Sequence, residues 1–124
     1  MSSHPFVAVV AVLVLTVPEA QAREPFEGVW ARTNRECRDE EGPNSRVLID
    51  LGAKSGPLAD RYESHCKILS RATSGSKTRA GLRCYEFWED YEKDQNSKNR
   101  TEKWNVLGNN RMRIDGKDFV RCIR

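Results

Sequence analysis

Residues 61–88 contain two runs in which polar and apolar side chains alternate, separated by the turn-forming sequence Thr-Ser-Gly-Ser at 73–76. Alternation with a period of two is typical of β-strands that bury one face. Glycine and serine between two such runs favour a reversal of the chain. We therefore predict a long antiparallel hairpin that places Cys66 of the first strand and Cys84 of the second on or beside the buried face.

The first 22 residues have the features of an export signal. Residues 6–17 form an uncharged apolar run of 12 residues, whereas a membrane-spanning helix needs about 20. The small-x-small sequence Ala20-Gln21-Ala22 follows, and signal peptidase cleaves after such a pattern. We therefore predict a signal peptide at 1–22 rather than a buried N-terminal helix, and a periplasmic or secreted protein without stable membrane insertion after cleavage.

Cleavage after Ala22 would leave 102 residues, 23–124, which suit a single β domain. All 21 Lys and Arg residues lie in this part of the chain. Only one of the 18 acidic residues, Glu19, precedes it, so its formal net charge is 21 minus 17, or +4. A domain of this size has a small apolar core, and covalent cross-links often supplement its stability.

The four cysteines are Cys37, Cys66, Cys84 and Cys122, and an even number in a small exported chain predicts two disulfides. Gaps of 29, 18 and 38 residues, without a C-x-x-C pair, make a zinc site the weaker interpretation. Three pairings are open. Cys66 with Cys84 would be tight but permitted in a hairpin centred on Gly75. We favour Cys37 with Cys66 and Cys84 with Cys122, because these bonds would tie the hairpin to both ends of the chain.

Five further segments have the alternation or turn signals of short strands. They are residues 28–33, 45–51, 102–107, 111–114 and 117–123. Polar or Gly- and Pro-containing segments between strands predict loops, at 35–41, 52–60 and 89–100. The resulting fold class is all-β, a single antiparallel barrel or sandwich of about seven strands stabilised by disulfides, with no long helix.

Gly28-x-Trp30 at the start of the first strand resembles the opening motif of the calycin barrels, the lipocalins and their shorter relatives. The resemblance implies that Trp30 packs under the barrel floor against a basic residue near the end of the chain, here Arg121 or Arg124. It also extends to the small periplasmic bacterial inhibitors of metalloproteases. With Tyr-Glu-Ser-His-Cys at 62–66 and the closing Arg-Cys, the whole chain is similar to uncharacterised small exported bacterial proteins, a likeness that implies no function.

Candidate catalytic residues are few. His65 is the only histidine after residue 22, and we interpret it as an exposed strand residue because catalysis also needs a nucleophile and an orienting acid. Glu86, Glu89 and Asp90 beside Trp88 resemble a carboxylate pair over an aromatic sugar platform. A solubilising acidic rim at a strand end explains them equally well, and we favour it.

Nucleic-acid binding is a further possibility because basic and aromatic residues interleave on the hairpin. These residues are Arg71, Lys77, Arg79, Arg83, Tyr85 and Phe87. Acidic residues are mixed through most of the chain, and export separates the protein from the nucleic acid of its host. We therefore expect no nucleic-acid partner.

The sequence is best interpreted as a non-enzymatic binding module for an envelope protein or a small apolar ligand, without a catalytic residue, cofactor or metal. The predicted binding residues are Trp30, Trp104, Phe119 and Arg121, and an apolar pocket would be lined by side chains such as Trp104, Val106 and Phe119. The alternatives are an envelope hydrolase that uses His65, or a structural or stress-related envelope protein.

Overall fold

Eight antiparallel strands close into a barrel in the computed structural model, which describes residues 3–12 and 23–123. The strands are β1 (Gly28–Ala31), β2 (Val47–Asp50), β3 (Leu58–Arg61), β4 (Ser64–Ser74), β5 (Lys77–Tyr85), β6 (Lys98–Gly108), β7 (Arg111–Ile114) and β8 (Lys117–Arg121). Each strand pairs with the next, and β8 pairs with β1. The predicted all-β fold is confirmed, with one strand more than expected.

The predicted central hairpin is confirmed as β4 and β5, which turn at Gly75 and Ser76. A β-bulge between Ile68 and Ser70 shifts their register. Continued without the bulge, the pairing of Ser74 with Lys77 would place Cys66 opposite Tyr85. The bulge therefore brings Cys66 opposite Cys84, where the two form a disulfide with Cα atoms 4.0 Å apart.

The disulfide pairing that we favoured from the sequence is wrong. Cys66 bonds to Cys84, and Cys37 bonds to Cys122. Cys66 and Cys84 face each other inside the barrel and bond together, so Cys37 and Cys122 form the second disulfide. Cys37 lies on a short 3-10 helix (Arg35–Arg38), and Cys122 directly follows β8, where its N–H donates to the Val29 carbonyl.

Two segments predicted as loops contain regular structure. Strand β3 begins inside residues 52–60, and its Leu58 and Ala59 are buried. Residues 89–100 contain most of helix α1 (Trp88–Lys93) and the start of β6. The predicted exposure of 89–100 is wrong at Tyr91, which packs on the outside of the barrel against Leu58 and Tyr85. Tyr91 is the only fully buried residue of this helix, and its contacts dock the helix on the barrel.

Beyond the barrel, residues 3–12 are exposed and have no helix or strand. The predicted cleavage site after Ala22 lies outside the described residues. Within residues 3–12 and 23–123, no helix has the length and apolar composition needed to cross a membrane.

Side chains fill the interior of the barrel, as the narrow lumen of eight strands favours. Trp30, Trp104 and Met112 are at most 1% exposed, and Phe119 is also buried. Three of the four predicted binding residues, Trp30, Trp104 and Phe119, therefore lie in the hydrophobic core. Val106 packs against the same core rather than beside an open apolar pocket.

The expected contact between Trp30 and a basic residue near the end of the chain is present. The Arg121 guanidinium carbon lies 4.2 Å from the centroid of the indole ring, within the range of a cation–π contact. Arg121 also donates to the carbonyls of Pro25 and Glu27. A Cβ at Gly28, where φ is +135°, would lie 2.6 Å from the guanidinium, so glycine is needed there. Arg124 lies outside the described residues.

Helix α1 is held to the barrel by a hydrogen bond from the Tyr85 phenol to Asp94, the residue that ends the helix. Burial raises the pKa of Tyr85, so the phenol remains a donor. The hydrogen bond from Tyr85, with the nearby charges of Lys67 and Arg83, lowers the pKa of Asp94. Ionised Asp94 therefore stabilises the fold above the unfolded-state pKa of about 3.9, and this contribution is lost as pH falls through the lower folded-state pKa.

We expect Asp94→Asn to lower the free energy of unfolding at neutral pH and to weaken its decline in acid. Urea denaturation at neutral pH and at a series of values below about pH 4 measures both effects. Tyr85→Phe, which removes the donor, should weaken the acid dependence in the same way. Parallel pH profiles for the wild type and Asp94→Asn would contradict the assignment.

Candidate functional site

A groove with a cavity volume of about 680 Å³ crosses the outer faces of β1 to β4. Its floor is a row of side chains in which Val29 lies opposite Leu48, Leu48 opposite Asp60, and Asp60 opposite His65. One wall is the segment after β5, and the other is the loop before β2. We call it the acidic aromatic groove and define it by this floor and by Glu41, Tyr62, Glu63, Glu86, Phe87 and Trp88.

Three aromatic side chains of the groove are exposed. Phe87 is 59% exposed, Trp88 44% and Tyr62 43%. Large aromatic side chains carry most of their binding value when a partner covers them. Three of them beside one groove give it an apolar surface that a partner can cover.

Trp88 is positioned by contacts on both of its sides. Its ring stacks on His65, with centroids 3.8 Å apart and planes inclined by 20°. Tyr91, one turn later in α1, packs its ring at 75° to the indole with centroids 5.1 Å apart. Because Tyr91 is buried against the barrel, the helix presents Trp88 at a fixed place on the groove edge.

His65 is oriented by the same arrangement. Its Nδ1 is hydrogen-bonded to a carboxylate oxygen of Asp60 on the neighbouring strand, and its side chain is only 12% exposed. The structure thus places His65 in the groove floor and not on an open strand. Ser64, the adjacent hydroxyl, lies within 3.5 Å of the Cys66 sulfur on the other face of β4. The groove therefore holds an oriented imidazole, while that hydroxyl points away from it.

The groove is negatively charged within a chain whose formal net charge is +3. Glu41, Glu63 and Glu86 have no Lys, Arg or His nitrogen within 4.0 Å among the described residues. Two arginines also line the groove, and both are already engaged, since Arg46 pairs with Glu40 and Arg61 pairs with Glu102 inside the barrel.

The titration of Tyr62 reflects this negative potential. The negative charge of Glu63 raises the pKa of the Tyr62 phenol, and burial and Glu41 act in the same direction. The groove therefore favours ligands that bring positive charge.

The sequence-predicted site residues and this groove coincide only in part. Arg121 contacts the Trp30 ring and donates hydrogen bonds to the carbonyls of Pro25, Glu27 and Asn109. It does not line the groove. Of the acidic cluster near Trp88, only Glu86 lines the groove. Glu89 pairs with Lys93, and Asp90 accepts hydrogen bonds from the side chains of Gln95 and Asn96.

Sequence reasoning named Phe87 only as part of a possible nucleic-acid face. It missed six other residues that shape the groove, namely Val29, Glu41, Leu48, Asp60, Tyr62 and Glu63. Adjacent aromatics at a strand end, Phe87-Trp88, were the one available signal, because two large apolar side chains in sequence cannot both enter the core of a strand. Nothing in the sequence pairs Val29 with Leu48. Comparison of the chain with protein-family models, with curated proteins and with solved structures finds no match.

Proposed function

We propose that the protein is a non-enzymatic binding module of the periplasm or the cell exterior. Its acidic aromatic groove binds a segment of a partner protein that carries both basic and apolar side chains. The observation that carries this proposal is the clustering of three exposed aromatic rings with three carboxylates that form no ion pair within 4.0 Å among the described residues.

The groove has the composition of an interface centre. Tyrosine and tryptophan are enriched among residues whose truncation costs about 2 kcal/mol or more of binding free energy. Carboxylates at the rim accelerate association with a cationic partner and select against acidic ones. A small apolar ligand is a poorer fit, because the barrel interior is occupied by its own side chains.

The proposed location is supported by the covalent structure. Both disulfides use all four cysteines, and disulfides persist in oxidising compartments outside the cytoplasm. The apolar run at 6–17, followed by Ala20-Gln21-Ala22, supplies the route of export. A partner would then be a protein of the same compartment.

Peptides in which arginine alternates with leucine or phenylalanine test the proposal. We expect the oxidised protein to bind them, and Trp88→Ala to weaken binding by about tenfold or more. Leu107→Ala removes a comparably exposed apolar side chain far from the groove and is the matched control. Equal binding of peptides with glutamate in place of arginine, or unchanged binding by Trp88→Ala, would refute the proposal.

The natural partner can then be identified by cross-linking the wild-type protein and the Trp88→Ala variant, in parallel, to proteins of an envelope extract. Proteins that the variant fails to capture are the candidates. A structural role without a ligand predicts instead that Trp88→Ala restores the phenotype of a deletion strain as well as the wild type does.

A hydrolase is the second candidate, and the Asp60–His65 hydrogen bond favours it. A histidine oriented by a carboxylate is the arrangement of a general base that activates water. Hydrolysis of simple aryl esters, lost in Asp60→Asn and retained in Leu107→Ala, which lies outside the groove, would support this role. The binding module predicts no turnover above the rate in buffer.

A further inference from the structure

The outer face of β5, β6 and β7 carries a cluster of exposed cations. Arg79 on β5 lies directly opposite Lys103 on β6. In the neighbouring row, Lys77 on β5 and Arg113 on β7 both lie opposite Asn105 on β6. These side chains point outward, since they are exposed while the residues next to them on each strand, such as Thr78 and Trp104, are buried inside the barrel. We call Lys77, Arg79, Lys103 and Arg113 the basic face.

The basic face does not stabilise the barrel. Like charges directly opposite each other on adjacent strands are destabilising, and Arg79 faces Lys103. No carboxylate oxygen lies within 4.0 Å of the Lys77, Arg79 or Lys103 side-chain nitrogens among residues 23–123. Among the described residues, the only carboxylate that forms an ion pair with the basic face is that of Asp118, which pairs with Arg113 and also with Arg111.

Asp115, in the turn between β7 and β8, is held by the backbone of β6. Its Oδ1 accepts the backbone N–H of Lys103 at 2.8 Å, and no Asp115 oxygen lies within 4.0 Å of the Lys103 side-chain nitrogen. The positive charge of Lys77, Arg79 and Lys103 is therefore available to an anion outside the chain. Such an uncompensated cluster is the electrostatic signature of a surface that meets anions.

The shape of the face indicates what kind of anion fits. The four cations line a shallow cavity of about 400 Å³ and are its only ionisable side chains among the described residues. The cavity surface is mainly apolar, so the aliphatic stems line it and the charged ends lie at its rim. The four cations lie on three adjacent strands, in two rows. Strands are about 4.8 Å apart, and same-face residues on one strand are about 6.6 Å apart. The charges thus form a two-dimensional array, which matches a plane of phosphates better than a single polyanionic strand.

We propose that the basic face docks on an anionic lipid surface through the phosphates of the headgroups. The acidic aromatic groove lies on β1 to β4, in the other half of the closed ring of strands. A barrel resting on β5 to β7 therefore presents the groove away from the membrane, toward soluble partners. The proposal rests on different residues from the proposed function, and either can fail alone.

Sedimentation with lipid vesicles tests the docking. The wild type is expected to bind vesicles of phosphatidylglycerol with phosphatidylcholine, to bind pure phosphatidylcholine vesicles weakly, and to be released by salt. The double variant Arg79→Gln with Lys103→Gln should reduce binding about tenfold or more. The control is the double variant Arg35→Gln with Lys54→Gln, which removes the same charge from exposed sites elsewhere. All three proteins are prepared with the same N-terminus, and the control should retain most of the binding.

Arg79→Glu separates loss of binding from loss of folding. It replaces a repulsive pair with an attractive one opposite Lys103, and its other cross-strand neighbour is Ala72, so we expect its midpoint of thermal unfolding to rise while vesicle binding falls. Equal binding to pure phosphatidylcholine, or an equal loss in the Arg35–Lys54 double variant, would overturn the proposal. Equally tight binding of free inorganic polyphosphate or single-stranded DNA would also overturn it and assign a soluble polyanion instead.

Discussion

Replacing Glu102 with alanine is expected to lower the free energy of unfolding by about 3 kcal/mol. The Glu102 carboxylate is 1% exposed and accepts four hydrogen bonds inside the barrel. Two come from Arg61 Nη2, at 3.0 and 2.9 Å, one from Arg100 Nη2 at 3.0 Å and one from the Trp104 indole at 2.8 Å. Its removal leaves two guanidinium groups together and a buried N–H without an acceptor.

Partial exposure of the arginines limits the loss. The side chains of Arg61 and Arg100 are 28% and 40% exposed, so water can solvate them after the change. This places the expected loss at the lower end of the range of about 3–5 kcal/mol for broken buried pairs. Urea denaturation at neutral pH measures it.

Arg100→Gln is the control for this network. It should cost less than about 1 kcal/mol, because Arg100 is the more exposed arginine and Glu102 keeps Arg61 and Trp104. A loss below about 1 kcal/mol for Glu102→Ala, or an equal loss for both variants, would show that the network does not hold the barrel together.

Removing the Cys37–Cys122 disulfide, by replacing both cysteines with alanine, should lower the free energy of unfolding by about 4–5 kcal/mol. The bond spans 85 residues, whereas Cys66–Cys84 spans 18. The longer loop restricts the unfolded chain more strongly, and the same chain-entropy argument assigns about 3 kcal/mol to Cys66–Cys84. Against a typical total of about 5–15 kcal/mol, loss of the longer bond leaves a marginal fold.

The same substitution should also weaken peptide binding to the acidic aromatic groove. Cys37 lies on the 3-10 helix that precedes Glu40 and Glu41, so the bond to Cys122 ties one groove wall to the end of β8. Chemical denaturation of oxidised wild type and variant, with peptide binding measured in parallel, tests both effects. A loss below about 1 kcal/mol, or a non-reducing peptide map that joins Cys37 to Cys66, would contradict this account.

The sequence pattern predicted the strands whose alternation of polar and apolar side chains is visible among neighbouring residues. The alternation on either side of residues 73–76 is a property of neighbouring residues, and β4 and β5 follow from it. β3 has only four residues and follows a Gly- and Pro-containing segment, so turn signals obscured it. Helix α1 is polar except for its aromatic residues, and tertiary contacts of Tyr91, Trp88 and Asp94 with the barrel stabilise it.

The disulfide pairing depended on a feature that no local pattern reveals. A two-residue turn alone would have placed Cys66 opposite Tyr85, and one extra residue in β4 places it opposite Cys84. A bulge results from packing against the rest of the barrel as well as from the residue that forms it. Strand register, and with it the pairing of all four sulfurs, was therefore a tertiary property.

The sequence by itself determined an all-β chain with a central hairpin and two disulfides, because strand periodicity and cysteine number are encoded in local order. The contact of Trp30 with a basic residue near the chain end was implied only by the resemblance of Gly28-x-Trp30 to a family motif. Tertiary structure alone decided which side chains form a site. Val29, Leu48, Asp60 and His65 become neighbours only through strand pairing across the closed barrel, and Trp88 reaches them only because Tyr91 docks its helix. Pairing of successive strands converts these separate positions into one surface, and single-residue changes of register would disperse it.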